Sequence, residues 1–454
     1  MFAIKKRATR ALLSCTAALF CSQAALAALP IQNWSQPSGA SVYLVETHGI
    51  PMVDVQVDFD AGSRRDPPGK VGLADVTAAM TGAGIAAAGG LPALDENQLS
   101  EAWADLGAGF GASAGSDRMS FSLRSLSDAA LLSRAGELAS RQLGEPAFPE
   151  AIWLRDRQRM SASIRESSTR PSTVAGRAYT AAVYGSHPYG YEMTEATLAS
   201  IDIQDMRQMR ASYLEPCRAK VSIVGDVTRG QADALATTLL SRLSAHAGGC
   251  APLPPVAEVA PLEAAVTRAI PFESAQAHVL IGQPGYKRSD PDYFPLLVGN
   301  YILGGGGFVS RLYGEVREKR GLSYSVSSYF SPGLHAGAFT VGLQTRPDQA
   351  AQAVQVSREV LARFVAQGPT EAELQAARDN LVGGFALRID SNRKLLGNVA
   401  SIAWNGLPLD YLDSWTGRVA QVTVADIKAA FARKLQPDRM VTVTVGAIAP
   451  TSPK

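Results

Sequence analysis

Arg317 and Tyr324 are two residues whose types and spacing could do chemistry. They stand seven positions apart in the segment Arg-Glu-Lys-Arg-Gly-Leu-Ser-Tyr, shortly after a run of four glycines. An arginine can hold a carbonyl or carboxylate oxygen, and a tyrosine hydroxyl can donate to an oxyanion. Taken alone, the same pair would be a solvated helix charge and a half-buried strand residue. The glycines are Gly304, Gly305, Gly306 and Gly307.

Two glycine-rich segments match familiar motifs but lack their context. The run at 304–307 is not followed by Lys-Ser or Lys-Thr, so it does not indicate a phosphate-binding loop. Its glycines instead allow positive φ and close backbone approach. Gly111–Gly115 matches the G-x-S-x-G pattern, whose serine must lie between a strand and a helix. The residues that follow, Met119–Leu123, alternate like a strand, and a serine hydrolase is therefore disfavoured.

The histidines do not form a zinc-binding pattern. Catalytic zinc takes three protein ligands and keeps one open position, and two histidines four positions apart can supply two ligands from one helix. No two histidines of this chain have that spacing. The segment Ser-His-Pro-Tyr-Gly favours a structural or surface role for its histidine. The five histidines are His48, His187, His246, His278 and His335.

Residues 304–330 and 72–80 resemble two parts of the pitrilysin/insulinase-type zinc peptidases. The first segment resembles the substrate-binding half, and the second, Gly-Leu-Ala-Asp-Val-Thr-Ala-Ala-Met, resembles the zinc-binding helix. In that helix the motif H-x-x-E-H supplies two zinc ligands and a general base. The corresponding positions here are Asp75, Ala78 and Ala79. The resemblance implies that this chain has lost the family's zinc site and holds no cofactor of its own.

The resemblance also implies roles for residues outside that helix. Where the family carries glutamates seven positions apart on a later helix, this chain has Asp156 and Ser163, so the third zinc ligand is missing as well. The family places an arginine and a tyrosine with the spacing of Arg317 and Tyr324 across a cleft from the zinc, beside a mobile glycine loop. These two residues would then bind substrate and stabilise the oxyanion at a partner's zinc, and the glycine run would bind peptide. The segment around Gly111 would be an edge strand on which an extended peptide can pair.

The first 27 residues have the pattern of a signal peptide. A basic start is followed by an apolar stretch at 11–24 and by the A-x-A cleavage site Ala25-Leu26-Ala27. A lipoprotein cleavage before Cys15 is the less favoured alternative. The apolar stretch is too short to span a membrane, and no later stretch is long enough. An exported, soluble protein is expected, and the periplasm is its predicted location.

Charge and cysteine content restrict the partners and the compartment. With 43 Lys and Arg against 41 Asp and Glu, the chain is nearly neutral and has no basic stripe, so no nucleic-acid partner is expected. Cys217 and Cys250 remain after removal of the signal peptide. An oxidising compartment allows a disulfide between them, and two separate buried thiols are the alternative.

The chain repeats itself at an offset of 221 residues. The segment at 203–206 recurs at 424–427, in each case as a helix followed by a Pro-marked turn and a strand that ends in Gly. A chain of 454 residues also exceeds a single core. We therefore predict two homologous domains, at 28–245 and 268–454, joined by a Pro- and Gly-rich linker at 246–267.

Strand and helix patterns alternate irregularly within each half. Residues 41–46 and 53–59 alternate by twos around Gly-Ile-Pro and predict a hairpin, while 71–82 and 96–106 predict helices. This layout is typical of an α+β fold in which helices pack on one face of a mostly antiparallel sheet. The family resemblance adds that two such domains form half of a clamshell.

These observations predict a zinc-less subunit of an exported pitrilysin-type metallopeptidase, of the bacterial processing-peptidase-like type. Its partner would be a zinc-bearing subunit in a heterodimer, and its substrate a peptide. An inert scaffold or peptide-binding protein of the same fold is the first alternative. An independently active hydrolase is the second, and the missing ligands disfavour it.

Overall fold

Two large β-sheets and the helices that cover them make up residues 30–244 and 250–447, which are the residues that the computed structural model describes. The predicted signal peptide at 1–27 and the start of the predicted linker, 246–249, lie outside the described residues. The strands are β1 (Gln32–Ser35), β2 (Ser41–Glu46), β3 (Met52–Phe59), β4 (Gly84–Ile85), β5 (Leu94–Asp95), β6 (Gly109–Ala114), β7 (Met119–Leu126), β8 (Lys220–Gly225), β9 (Val266–Ile270), β10 (Ala277–Tyr286), β11 (Val326–Phe330), β12 (Gly337–Thr345) and β13 (Val441–Val445). The helices are α1 (Leu73–Met80), α2 (Glu96–Asp105), α3 (Ala129–Gly144), α4 (Glu150–Ser167), α5 (Pro171–Tyr184), α6 (Glu195–Ala199), α7 (Ile203–Tyr213), α8 (Arg229–Leu240), α9 (Tyr293–Asn300), α10 (Ala350–Gln367), α11 (Glu371–Gly383), α12 (Asn392–Asn405), α13 (Tyr411–Gln421) and α14 (Val424–Lys434).

The two large sheets share one strand order. The first runs β1-β2-β8-β3-β7-β6 and the second β11-β12-β10-β13-β9. Read from opposite ends, β2-β8-β3-β7-β6 corresponds to β9-β13-β10-β12-β11. In both sheets the corresponding pair is parallel, β2 with β8 and β9 with β13, and the other neighbours are antiparallel. The predicted α+β class with mostly antiparallel sheets is confirmed.

The predicted hairpin of β2 and β3 is wrong. Both segments are strands, but β8 lies between them, with Val42 beside Val221 in the parallel pair and Val55 beside Ile223 in the antiparallel pair. Alternation reports that a strand has one buried face, and it carries no information about which strand lies next to it. A strand from far along the chain can therefore separate two strands that a short loop connects.

The internal repeat is visible in the helices as well. Helix α5 begins at Pro171 and α12 at Asn392, while α7 begins at Ile203 and α14 at Val424. Both pairs are 221 positions apart, which is the offset seen in the sequence. The boundaries of the two predicted domains remain a prediction, although β9 already begins inside the predicted linker, at Val266.

Each sheet buries one face against helices of its own half. On β3 the alternate residues Val53, Val55, Val57 and Phe59 are all buried, and Phe121 on the neighbouring β7 is buried with them. The second sheet has a separate core that runs mainly from Val279 to Met440. Helices on one face of each sheet were predicted, and within each half this holds.

The opposite faces are covered by helices exchanged between the halves. Helix α5 packs on β10 and β13 of the second sheet, and α12 packs on β8 and β3 of the first. The Tyr179 hydroxyl on α5 donates to Phe339 O at 2.8 Å and lies 2.9 Å from Thr340 Oγ1. In the opposite direction, Lys220 Nζ on β8 donates to Ala403 O, near the end of α12, at 2.8 Å. Because α5 and α12 correspond in the repeat, the exchange is reciprocal.

Further contacts hold the segment after residue 250 against the first half. Cys217 and Cys250 form a disulfide with their Cα atoms 6.0 Å apart, which decides between the two alternatives that the sequence left open. His187 Nε2 lies 2.9 Å from Ala257 O. None of the helices in residues 30–244 and 250–447 combines the length and apolarity needed to cross a membrane.

Candidate functional site

Arg317 and Tyr324 lie on a segment whose backbone departs from regular helix. Helix α9 continues into a π-helical stretch, Tyr301–Gly305, and a second π-helical stretch, Tyr313–Glu318, carries Arg317. Tyr324 follows in the loop just before β11. π-Helical turns are rare and are frequently found at functional sites, since the wider turn redirects side chains.

The structure brings the two side chains together. The guanidinium carbon of Arg317 lies 4.8 Å from the centre of the Tyr324 ring and 4.7 Å from that of Tyr313. A third ring, Phe308, is 5.9 Å away and makes an edge contact with Tyr313 at 5.0 Å between ring centres. The Arg317 Nη1 group also donates a hydrogen bond to the Tyr313 hydroxyl. Aromatic rings attract a cation through their electron-rich faces, so these contacts hold the guanidinium in place.

The site is open to solvent. Tyr324 is 81% exposed, Val309 76% and Phe308 75%, and these are the three most exposed large hydrophobic residues of the described chain. Tyr324 is therefore not the half-buried strand residue that its pattern alone would suggest. Exposed apolar groups beside a cation can contact a second molecule without further rearrangement.

The glycine run packs tightly at its start and turns sharply at its end. A Cβ at Gly304 would lie 2.5 Å from Ser328 Oγ and 2.6 Å from Ser328 N, so only glycine lets this segment approach β11 so closely. Gly307 has φ +61°, a conformation that other residues rarely adopt. The bond from Asn300 Nδ2 to Ser328 O, at 3.0 Å, fastens the same stretch to β11. The four predicted glycines, Gly304, Gly305, Gly306 and Gly307, therefore form the turn that leads to Phe308. Their role in peptide binding stays a prediction.

The residues at the degenerate zinc positions do not fit a zinc site. Asp75 is half-buried, Ala78 is buried and Ala79 is exposed on α1, and Ser163 is exposed on α4. Alanine has no ligand atom, and burial raises the pKa of Asp75, which disfavours the charged form that a metal needs.

Only one group of His, Cys, Asp or Glu side chains in the described residues is close enough to share a metal ion, namely Glu215, Cys217 and Cys250. Two members of that group are the sulfurs of the disulfide. A thiolate is the form of cysteine that binds metal, and a disulfide offers none. This group lies on a different part of the first half from α1, and it was not predicted as a metal site.

The helix α1 is nevertheless well anchored. Asp66 is buried ahead of it and accepts from the backbone N–H groups of Gly72 at 2.8 Å and Ala74 at 2.9 Å. Carboxylates before a helix satisfy its free amide groups. Burial nevertheless raises the pKa of Asp66 to about 7. The helix is thus retained as a structural element although its metal ligands are gone.

The segment around Gly111 is a strand and not a nucleophile elbow. Residues Gly109–Ala114 form β6, which leads into a second strand, β7, instead of a helix. Strand β6 lies at the edge of the first sheet, with β7 as its neighbour. The predicted edge strand is confirmed, and its outer side has the unpaired backbone groups that another extended chain could use.

Two features of the molecule were missed in the sequence. The ring contacts of Phe308 and Tyr313 with Arg317 were not predicted, although an aromatic residue four positions before an arginine can reach it on a helix. The second feature joins the halves: the His187 and His335 rings lie 5.2 Å apart, and the Tyr189 hydroxyl donates to Asp117 at 2.6 Å. The Ser-His-Pro-Tyr-Gly motif was a signal for this contact, but it did not reveal the partners.

Comparisons with known proteins agree with the two-sheet fold and with the resemblance noted in the sequence. Residues 200–381 match the family described as "Peptidase M16 inactive domain". The crystal structure of a peptidase M16 inactive domain from Pseudomonas fluorescens has a TM-score of 0.87 and 32% identity, and the match covers 94% of this chain and 100% of that one. An uncharacterized zinc protease of Streptomyces coelicolor is 36% identical over 159 residues, which are 35% of this chain and 34% of that protein.

The non-peptidase homolog YmxG of Helicobacter pylori is 27% identical over 239 residues, 52% of this chain and 53% of that protein. The match therefore spans only about half of that relative's length, and less of the Streptomyces protein. The Pseudomonas structure, by contrast, is matched over its whole length at 32% identity. The chain belongs to the peptidase M16 family and carries that family's inactive domain.

Proposed function

We propose that this chain is the zinc-less subunit of an exported M16 metallopeptidase and that it supplies Arg317 and Tyr324 to the zinc site of a partner subunit. The observation that carries the proposal is the contact between these two side chains, with the guanidinium carbon 4.8 Å from a ring that is 81% exposed. A cation and a phenol held together at an open surface can act on a group that a second molecule presents.

The degenerate zinc positions support the proposal. Asp75, Ala78 and Ala79 offer one carboxylate where the family has three functional side chains, so α1 cannot supply the metal. The match to the M16 inactive domain and the likeness to a relative named as a non-peptidase homolog point in the same direction. A chain that keeps the substrate-binding pair and lacks the metal ligands needs a partner that has them.

The proposed chemistry divides between the two subunits. The partner's zinc would polarise the scissile carbonyl of a bound peptide. On this chain, Arg317 would hold a carbonyl or carboxylate of the peptide, and the Tyr324 hydroxyl would donate to the oxyanion of the tetrahedral intermediate. The unpaired edge of β6 would bind the peptide in an extended conformation. Export to the periplasm, which the N-terminal 27 residues predict, would place the pair where peptides from outside the cytoplasm occur.

The test is reconstitution with a zinc-bearing M16 subunit that copurifies with this chain. The complex should hydrolyse peptides, and this chain alone should not. Tyr324→Phe should lower kcat of the complex by about 10²–10³, because one oxyanion donor is lost. Arg317→Ala should raise KM, because it removes a contact that is already present in the ground state.

Two matched variants control for general effects of substitution at this surface. Tyr329→Phe changes another exposed tyrosine nearby, and Arg320→Ala changes an exposed arginine that pairs with Glu315. Both should leave the kinetics unchanged. Normal kinetics in the Tyr324 and Arg317 variants, with the complex intact, would instead favour the alternative of an inert scaffold or peptide-binding protein. Chelator-insensitive hydrolysis by this chain alone would contradict both proposals.

A further inference from the structure

The Arg317 side chain makes a hydrogen bond that the proposed chemistry does not require. Its Nη1 group donates to the hydroxyl of Tyr313, and within the described residues this is the hydrogen bond assigned to that guanidinium. Tyr313 stands four positions earlier, at the start of the second π-helical stretch. The same guanidinium lies over the Tyr313 ring, with 4.7 Å between its carbon and the ring centre. One residue thus contacts the cation through both its hydroxyl and its ring.

This double contact restricts a side chain that would otherwise be free. Arginine has several rotatable bonds and loses up to about 2 kcal/mol of side-chain entropy when it is fixed. Arg317 is only half-buried, so packing alone does not fix it. The hydroxyl of Tyr313 sets the direction of one Nη group, and the rings of Tyr313 and Tyr324 set the plane. The other N–H groups are left to meet a ligand.

Phe308 completes the arrangement. Its ring meets the Tyr313 ring edge to face at 5.0 Å between centres, and it is itself 5.9 Å from the guanidinium carbon. Phe308 follows Gly307, whose positive φ turns the chain toward the arginine. The glycine turn therefore holds the ring that supports Tyr313 in its turn.

We propose that Tyr313 is the positioning residue of Arg317, which it holds in the orientation that binds the peptide. The proposal rests on the proposed function of Arg317 in substrate binding, and it adds a residue that does not itself touch the substrate. A hydrogen bond to a charged group contributes more than one between neutral groups, so removal of the Tyr313 hydroxyl should weaken peptide binding by about tenfold.

The first experiment measures the kinetics of the complex with the zinc-bearing subunit. Tyr313→Phe keeps the ring and removes the hydroxyl, and it should raise KM by about tenfold with little change in kcat, since the loss affects ground-state binding. Tyr301→Phe, in the first π-helical stretch, is the matched control and should behave like the wild type. In the Arg317→Ala background, Tyr313→Phe should have no further effect, because the two residues act on one contact.

These variants separate the two proposals. If Arg317→Ala raises KM and Tyr313→Phe does not, the positioning role is overturned and the proposed function stands. If Arg317→Ala has no effect, the proposed function of this residue fails, and the inference fails with it. An equal fall of activity in the Tyr313 and Tyr301 variants, with a lower melting temperature in both, would also overturn the positioning role.

A second experiment needs only this chain. Phenylglyoxal modifies accessible guanidinium groups, and peptide mapping by mass spectrometry gives the rate at each arginine. The Arg317 rate should rise severalfold in Tyr313→Phe, because its hydrogen bond and orientation are lost. Arg320, three positions away and paired with Glu315, is the internal control. An unchanged Arg317 rate would show that Tyr313 does not hold this side chain, whatever the kinetics of the complex.

Discussion

Phe308, Val309 and Tyr324 leave large apolar groups in water around one cation. Their exposed fractions, 75%, 76% and 81%, exceed those of the other large hydrophobic residues in the described chain. Burial of apolar surface contributes about 25 cal/mol for each Å² removed from water, so a molecule that covers these residues gains affinity from them. The cation beside them adds direction, because a carbonyl or carboxylate must face Arg317. The combination suits a peptide, which offers apolar side chains and carbonyl groups at short intervals.

Asp66 offers a pH test of the anchor that holds α1. Burial raises the pKa of Asp66 to about 7, and the nearby Asp75 adds to the rise, while the amides of Gly72 and Ala74 oppose it. A raised folded-state pKa means that the native chain binds the proton more tightly than the unfolded chain. The stability that this proton contributes is fully present below the unfolded pKa of about 4 and is lost as the pH rises through about 7.

The variant Asp66→Asn cannot titrate at this position. The free energy of unfolding of the wild type relative to this variant should therefore fall by about 3–4 kcal/mol between about pH 4 and pH 7.5. Urea unfolding at several pH values measures it. Asp95→Asn is the matched control, since Asp95 also caps a helix, accepting from Asn97 N at 2.9 Å, but is exposed. A difference that grows with pH would show that the amide donors keep Asp66 charged.

At this scale the sequence predicted part of the site. The spacing of Arg317 and Tyr324, with the family resemblance, predicted that they share a site, and the structure places them in contact. Tyr313 could not be predicted in the same way. An aromatic residue one helical turn before an arginine is common and usually packs in a core, and only the wider π-helical turn shows that this one faces the guanidinium.

Among the elements, α5 and α12 are the pair that the sequence least revealed. Their existence is predictable from local pattern, and their equivalence follows from the offset between Pro171 and Asn392. Their exchange between sheets is not predictable from that pattern, because an apolar helix face shows only that something covers it. The mistaken hairpin of β2 and β3 has the same origin. Local periodicity predicts an element and its buried face, while its neighbour depends on chain segments far away.

Contact between α5 and the second sheet depends on a glycine. A Cβ at Gly282 on β10 would lie 1.9 Å from Phe339 O and 2.1 Å from the hydroxyl of Tyr179. Gly282→Ala should lower the free energy of unfolding by about 3 kcal/mol or more, since backbone and a buried ring would both have to move. Tyr179→Phe should lower it by about 1–2 kcal/mol, because buried partners lose a hydrogen bond.

The matched control is Gly342→Ala on the neighbouring strand β12, where the nearest atom to an added Cβ, Leu280 Cδ2, is at an ordinary 3.5 Å. Chemical denaturation of the three variants gives the comparison. If Gly282→Ala and Gly342→Ala were equally tolerated, the close approach of α5 to this sheet would not be needed for stability.

For the whole molecule, the exchange of helices means that neither half has a complete surface by itself. Residues Ala175, Tyr179 and Val183 on α5 are buried against the second sheet, and Lys220 on the first sheet bonds to the end of α12. Additional contacts cross between the halves near His187 and His335. The two predicted domains are homologous in sequence, but the structure gives each of them a face that only the other covers.

We therefore expect the predicted domains to depend on each other for folding. Residues 28–245 produced alone would expose the apolar face of α5 and leave one face of the first sheet uncovered, and residues 268–454 would lack α5 on β10 and β13. Exposed patches of this kind favour aggregation. Each fragment alone should fail to unfold cooperatively in urea, and the two should recover a single cooperative transition when produced together. The full chain without its first 27 residues is the control. A sharp, cooperative transition of either fragment alone would show that the halves are independent domains, and the exchanged helices would then serve only to fix how the halves are oriented.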